Sequence, residues 1–136
     1  MENIDGIVVN GTVHVQLAIR NFEECAPFYA QLMTAFGLQT LFDDERLKFW
    51  TGGRTSLAIT RCPEEDHRNR FDQQRVELHH VCFHARSRTD VDGVYELAQR
   101  LGAKIIQSPQ EGHWAPGYYS VSFEDPDGIR LEVRAR

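Results

Sequence analysis

The stretch HVQLAIRNFEECAPFYAQLMTAFG (14–37) recurs in outline as HVCFHARSRTDVDGVYELAQRLG (80–102). In each copy a His-Val pair opens a β-like run, a helix-like run follows, and a glycine closes it, with one residue of offset between the copies. Duplicated half-domains usually pair around a pseudo-twofold axis, which brings corresponding positions together. The repeat therefore predicts that His14 and His80 can meet across one cavity.

The first copy extends into three further strands. Alternating apolar residues in TVHVQLAIR (12–20) predict a strand, and Asn21 is placed to cap a helix that ends at Gly37. Short β-like runs follow at 38–44, 46–52 and 55–61. We therefore expect a β-α-β-β-β module over about residues 12–61.

The second copy has the same order. After a charged linker (62–75), LHHVCFHAR (78–86) predicts a strand and TDVDGVYELAQRLG (89–102) a helix with Thr89 as its cap. Strands are expected at 103–108, 118–125 and 129–135, with a hairpin turn at Asp125-Pro-Asp-Gly128. SPQEGHWAPG (108–117) is interpreted as a lid loop. The second module covers about 76–136, and 1–136 is expected to be a single α+β domain.

Composition limits the classes of function. A net charge of −5 and a pI of about 5.6, with no basic cluster, argue against nucleic acid as a partner. No apolar run approaches the roughly 18 residues that a membrane span needs. Three widely spaced cysteines without a CxxC motif favour a reducing, cytoplasmic location.

The polar faces of the predicted strands suggest a metal site. His14 and His80 occupy matching positions on the first strands, and Glu132 lies on the last strand between two apolar residues. Two imidazoles and one carboxylate can hold a divalent ion with coordination positions left open for substrate or water. A strand histidine alone is more often structural, and a terminal glutamate is more often exposed to solvent. The repeat and the shared face favour the metal site.

Further candidates lie on the same faces or in the lid. His84 is on the side of His80 and could act as acid or base, or could simply line a polar wall. His113 could reach substrate from the lid, or be an exposed loop residue, and Tyr118 could bond a substrate oxygen or pack beneath the lid. The expected cavity residues are Gln16, Trp50, Cys82, Ser120 and Arg130.

The chain resembles the vicinal oxygen chelate superfamily, which includes glyoxalase I, extradiol dioxygenases, fosfomycin-resistance transferases and bleomycin-resistance proteins. The matching stretches are HVQLAIRNFEECAPFY with FG following, HHVCFHARSRTDVDGVY with LGA following, and YYSVSFEDPDGIRLEV; together they span about 12–134. The resemblance implies two βαβββ modules that form an incomplete, U-shaped barrel around a metal. It also implies a homodimer, in some relatives with exchanged modules.

The resemblance places metal ligands on the first and fourth strand of each module, which here are His14, His80 and Glu132. The first module's fourth-strand position falls on Ala58, which cannot coordinate, so the four-ligand pattern of glyoxalase I is broken. A two-His, one-Glu set resembles the dioxygenases and fosfomycin-resistance transferases, with Fe²⁺, Mn²⁺ or Zn²⁺ all compatible. The resemblance implies a metal-dependent dioxygenase, lyase or transferase for a small oxygen-chelating substrate. The alternative is a metal-free binding protein of the bleomycin-resistance type.

Overall fold

Two β-α-β-β-β modules follow one another along the chain, as predicted. The computed structural model describes residues 6–9, 11–64, 71–112 and 116–135. The first module contains β1 (His14–Ile19), α1 (Phe22–Ala35), β2 (Gln39–Asp43), β3 (Leu47–Thr51) and β4 (Ser56–Arg61). The second contains β5 (Val81–His84), α2 (Arg88–Arg100), β6 (Lys104–Glu111), β7 (Tyr119–Glu124) and β8 (Arg130–Ala135).

The two modules form two four-stranded sheets with the same topology. Their strand orders are β1-β4-β3-β2 and β5-β8-β7-β6, and in each sheet the first strand pairs parallel with the fourth. The sheets are not closed into a barrel. The registers also correspond, which confirms the duplication at the level of single residue pairs: Val15 with Leu57 matches Val81 with Leu131, and Gln16 with Ala58 matches Cys82 with Glu132.

One hydrophobic core joins the modules. It contains residues of both helices and both sheets. Phe28 of α1 meets Phe123 of β7 edge-on, with ring centroids 6.5 Å apart, and both rings are buried. Since burial of a phenylalanine side chain contributes roughly 1.5–3 kcal/mol, this contact between α1 and the second sheet helps to hold the modules together.

The sides of β1 and β5 that face away from this core are exposed. On β1 the exposed side carries His14 and Gln16, and on β5 it carries Cys82 and His84. Successive side chains on a strand point to opposite faces, so apolar residues that are buried or partly buried alternate with these polar positions. The chain therefore leaves the polar faces of both first strands open.

The predicted turn at Asp125–Gly128 is formed and also connects the modules. Asp125 Oδ1 accepts hydrogen bonds from the backbone N–H groups of Asp127 and Ile129, at 2.8 and 2.9 Å. Gly128 has a φ of 90°, which a residue with a Cβ rarely adopts. From the first module, Tyr29 on α1 donates a 2.5 Å hydrogen bond to Asp125 Oδ2. The turn therefore fixes α1 as well as the β7–β8 hairpin.

Two local predictions were wrong. The proposed lid begins as a strand, because β6 continues to Glu111 through Pro109. A proline is tolerated there because β6 is the edge strand of its sheet, and the register shifts between Gln107 and Gln110. The cap of α2 is Ser87, whose side chain accepts from the backbone N–H of Asp90, and not Thr89. Among the described residues, no helix is long and apolar enough to cross a membrane.

Candidate functional site

Two of the three predicted metal ligands lie side by side. Glu132 is on β8 and is the register partner of Cys82 on β5. His80 directly precedes β5. His80 Nε2 lies 3.2 Å from Glu132 Oε2. The Glu132 side chain is 17% exposed and that of His80 36% exposed, so the pair is reachable from solvent.

Tyr118 holds the other oxygen of Glu132. Its hydroxyl donates a 2.6 Å hydrogen bond to Glu132 Oε1, and the guanidinium of Arg134 lies 4.9 Å from the centre of its ring. Burial and this bond to the carboxylate raise the pKa of Tyr118 well above its usual value, so the phenol stays protonated near neutral pH. Tyr118 therefore orients Glu132 as a hydrogen-bond donor, and its predicted contact with a substrate oxygen stays a prediction.

Cys82 is the fourth group at this site. Desolvation of the thiol, followed by the charge of Glu132, raises the pKa of Cys82 to about 11. A thiol with such a pKa is almost entirely protonated at pH 7 and is a weak nucleophile. Cys82 thus lines the site as a neutral, soft side chain.

His79 also contributes to the site. Its Nδ1 lies 2.8 Å from His80 Nδ1, and the side-chain amide of Gln73 donates to the His79 backbone carbonyl at 3.0 Å. Strand alternation does not apply to His79 and His80, because β5 begins only at Val81. The adjacent histidines were the signal that could have indicated this contact. With its Nδ1 engaged by His79, His80 turns Nε2 toward Glu132.

His14 is not joined to this pair in the chain. It is exposed on β1, opposite Ser56, and its ring lies 5.7 Å from that of Phe49. It makes no hydrogen bond or ion pair with His80 or Glu132. Within the part of the chain that the structure describes, no three His, Cys, Asp or Glu side chains are grouped to hold a metal. One chain therefore brings two of the predicted ligands together and places the third elsewhere.

The prediction that Trp50 lines the cavity face was wrong. Trp50 is buried, is the register partner of Leu57, and stacks on Tyr29 of α1 with ring centroids 6.5 Å apart. Phe49 takes the opposite face and contacts His14. Because Leu47, Phe49 and Trp50 put apolar residues on both faces of β3, alternation could not assign the faces.

The remaining candidates are dispersed. Ser120 is buried, and Arg130 forms a 3.8 Å ion pair with Glu124. Gln16 is exposed on β1 near His14. His84 is exposed and borders a separate groove beside Phe36. His113 lies outside the described residues.

Comparison with known proteins decides the family. The model of the glyoxalase/bleomycin resistance protein/dioxygenase superfamily matches residues 11–133. The chain belongs to this superfamily. Its relatives include the YqjT protein of Bacillus subtilis (strain 168), itself uncharacterised, which is 27% identical over 90% of this chain and 96% of that protein.

Solved structures of the superfamily share the fold. A candidate glyoxalase from Bacillus halodurans has a TM-score of 0.83 and 27% identity, with 93% of this chain and 97% of that chain covered. A glyoxalase/bleomycin resistance protein/dioxygenase domain from Frankia sp. EAN1pec has a TM-score of 0.75 and 24% identity, over 94% and 93%. The latter likeness shows the fold alone. The superfamily thus accounts for the paired modules, while the chemistry has to be argued from the site.

Proposed function

We propose that the protein is a divalent-metal-dependent enzyme that acts on a small substrate with neighbouring oxygen atoms. The metal ligands are His80 and Glu132 of one chain and His14 of a second copy. The observation that carries the proposal is the 3.2 Å separation of His80 Nε2 and Glu132 Oε2. Two donors that each lie about 2.1 Å from an ion, at a right angle, are about 3 Å apart.

The neighbours of this pair also suit a metal centre. A ligating carboxylate is usually held by an outer hydrogen bond, and Tyr118 donates one to the oxygen of Glu132 that is farther from His80. A ligating imidazole is usually fixed through its other nitrogen, and His79 engages Nδ1 of His80. When bound, a divalent ion would act as a Lewis acid on substrate oxygens. Fe²⁺, Mn²⁺ and Zn²⁺ all accept this donor set.

A homodimer would supply the third ligand. In the chain, the core packs the apolar sides of both sheets and leaves the His14 side of β1 and the Cys82 side of β5 exposed. A twofold interface brings each of these surfaces against the other on the partner, so that two equivalent sites form. We infer that His14 of one copy completes the His80–Glu132 pair of its partner.

A metal-free binding protein is the second candidate. It is favoured by the interactions of Glu132, whose two oxygens already contact Tyr118 and His80 in the chain. In that case the same polar surfaces would bind a small molecule directly, and no ion would be needed. Both candidates use the proposed homodimer, and both bind a small molecule between the facing surfaces.

Metal analysis separates the candidates. Protein purified without chelators is expected to carry close to one equivalent of a transition metal per chain, or to take it up when Fe²⁺, Mn²⁺ or Zn²⁺ is added. Less than about a tenth of an equivalent, with no uptake on addition, would establish the binding protein instead. For a metal-loaded protein, oxygen consumption with catechols under Fe²⁺ distinguishes ring cleavage from non-redox chemistry.

A further inference from the structure

We propose that a groove between the C-terminal end of α1 and the exposed side of α2 binds an amphipathic carboxylate, that is, an apolar body carrying one carboxylate group. The groove has a volume of about 960 Å³. Cys82 borders both the groove and the candidate site, but His80 and Glu132 do not line the groove, and the proposal does not depend on a metal.

The floor of the groove is apolar. Phe36, just after α1, meets Phe83 of β5 edge-on with ring centroids 5.1 Å apart. Val94 and Leu97 of α2 and Leu38 continue the same surface, and all of these side chains are only partly buried. Removing such a surface from water is favourable, so the floor suits a hydrocarbon chain or an aromatic ring.

The rim is cationic although the chain as a whole carries a charge of −5. Three arginines line the groove: Arg54, Arg86 and Arg100. Arg86 is paired with Asp90 at 3.1 and 3.4 Å. Arg54 and Arg100 form no ion pair with any residue that the structure describes. Two uncompensated guanidinium groups above an apolar floor match a ligand with an apolar body and a carboxylate end.

Gly93 is an independent indication that the groove is kept open. It lies in the interior of α2 and lines the groove. A glycine there weakens a helix by roughly 1 kcal/mol relative to alanine. Its backbone is not in the left-handed region, and a Cβ at this position would meet nothing within 4 Å. Neither the backbone conformation nor packing against the described residues requires a glycine here, and its small size leaves space for a ligand against α2.

Titration with decanoate tests the proposal. We expect saturable binding by calorimetry to the wild-type protein, and binding five- to tenfold weaker in the R54A/R100A double variant. Decan-1-ol has no carboxylate, so its binding should be the same in both proteins. Gly93→Leu should abolish binding of both probes by filling the groove. Gly93→Ala serves as the folding control and should melt at a higher temperature than wild type.

Several results would overturn the proposal. One is the absence of decanoate binding to wild type; another is a Gly93→Leu protein that melts cooperatively and still binds decanoate with wild-type affinity. Equal decanoate affinity in wild type and R54A/R100A would remove the role of the arginines. If Gly93→Leu instead converts a dimer to a monomer in light scattering and decanoate has no effect, a second copy occupies the groove and the proposal fails.

Discussion

Glu132 is the central residue of the candidate site, because each of its carboxylate oxygens has a separate partner. Tyr118 occupies Oε1 and His80 lies next to Oε2. An outer hydrogen bond of this kind fixes the orientation of a carboxylate ligand, and its loss typically weakens metal binding ten- to a hundredfold. The role of Tyr118 can therefore be tested through metal affinity, without knowing the reaction.

Tyr118→Phe is expected to weaken metal binding about tenfold, because the ring is kept while the hydroxyl loses its hydrogen bond to Glu132 and its contact with Cys82. Isothermal titration of metal-free protein measures this. Tyr119→Phe is the matched control, since the Tyr119 hydroxyl donates to Asp92 on α2 and not to the site. An unchanged affinity in Tyr118→Phe, or an equal loss in both variants, would remove Tyr118 from the site.

Asp125 makes the stability of the fold depend on pH. Burial raises its pKa to about 6, against the hydrogen bonds from Tyr29 and two backbone N–H groups, which lower it. The folded chain then binds more protons than the unfolded chain between about pH 4 and 6, so this residue makes the free energy of unfolding fall as pH rises through that window. The full shift corresponds to about 3 kcal/mol.

Asp125→Asn removes this titration. Urea unfolding between pH 4 and 7 should show a smaller loss of stability with rising pH in the variant than in wild type, whatever the two proteins' absolute stabilities. Glu96→Gln makes the same change of charge on the exposed side of α2 and should keep the wild-type slope. Identical slopes in Asp125→Asn and wild type would show that the Asp125 carboxyl titrates normally.

At the scale of the elements, the sequence prediction and the structure differ in which residue caps the start of α2. Ser87 caps the helix through its side chain, and Thr89 lies within the first turn. Ser87→Ala is expected to lower the free energy of unfolding by about 1 kcal/mol, and Thr89→Ala to change it by less than about 0.5 kcal/mol. Urea unfolding measures both changes in free energy, provided that the m-value is the same in each variant and in wild type. The opposite ranking would restore Thr89 as the cap.

The elements show where sequence reasoning succeeds. The repeat, the Asn21 and Gly37 boundaries of α1, and the Asp125–Gly128 turn are local signals, and the structure confirms them. The faces of β3 could not be predicted, because apolar residues on both faces leave its orientation to the packing of Trp50 against Tyr29. The extension of β6 through Pro109 depends on its edge position, which only the sheet order provides.

At the scale of the whole molecule, the candidate site is divided between two exposed surfaces. The sequence predicted that His14, His80 and Glu132 lie together, and the structure places His80 beside Glu132. It could not predict the position of His14 relative to that pair, because the pairing of modules depends on how α1 packs on the second sheet. That packing is tertiary, and the proposed dimer would add a residue from another chain.

The most direct test of the account is the metal content of mixed dimers made from His14→Ala and Glu132→Gln chains. Each variant alone should lack tight metal binding. If each site combines His14 of one chain with His80 and Glu132 of the other, each mixed dimer contains one intact site, and random exchange of equal amounts restores about a quarter of the wild-type metal content. A mixture that exchanges subunits, as shown by mass spectrometry, yet binds no more metal than the separate variants would contradict the shared site.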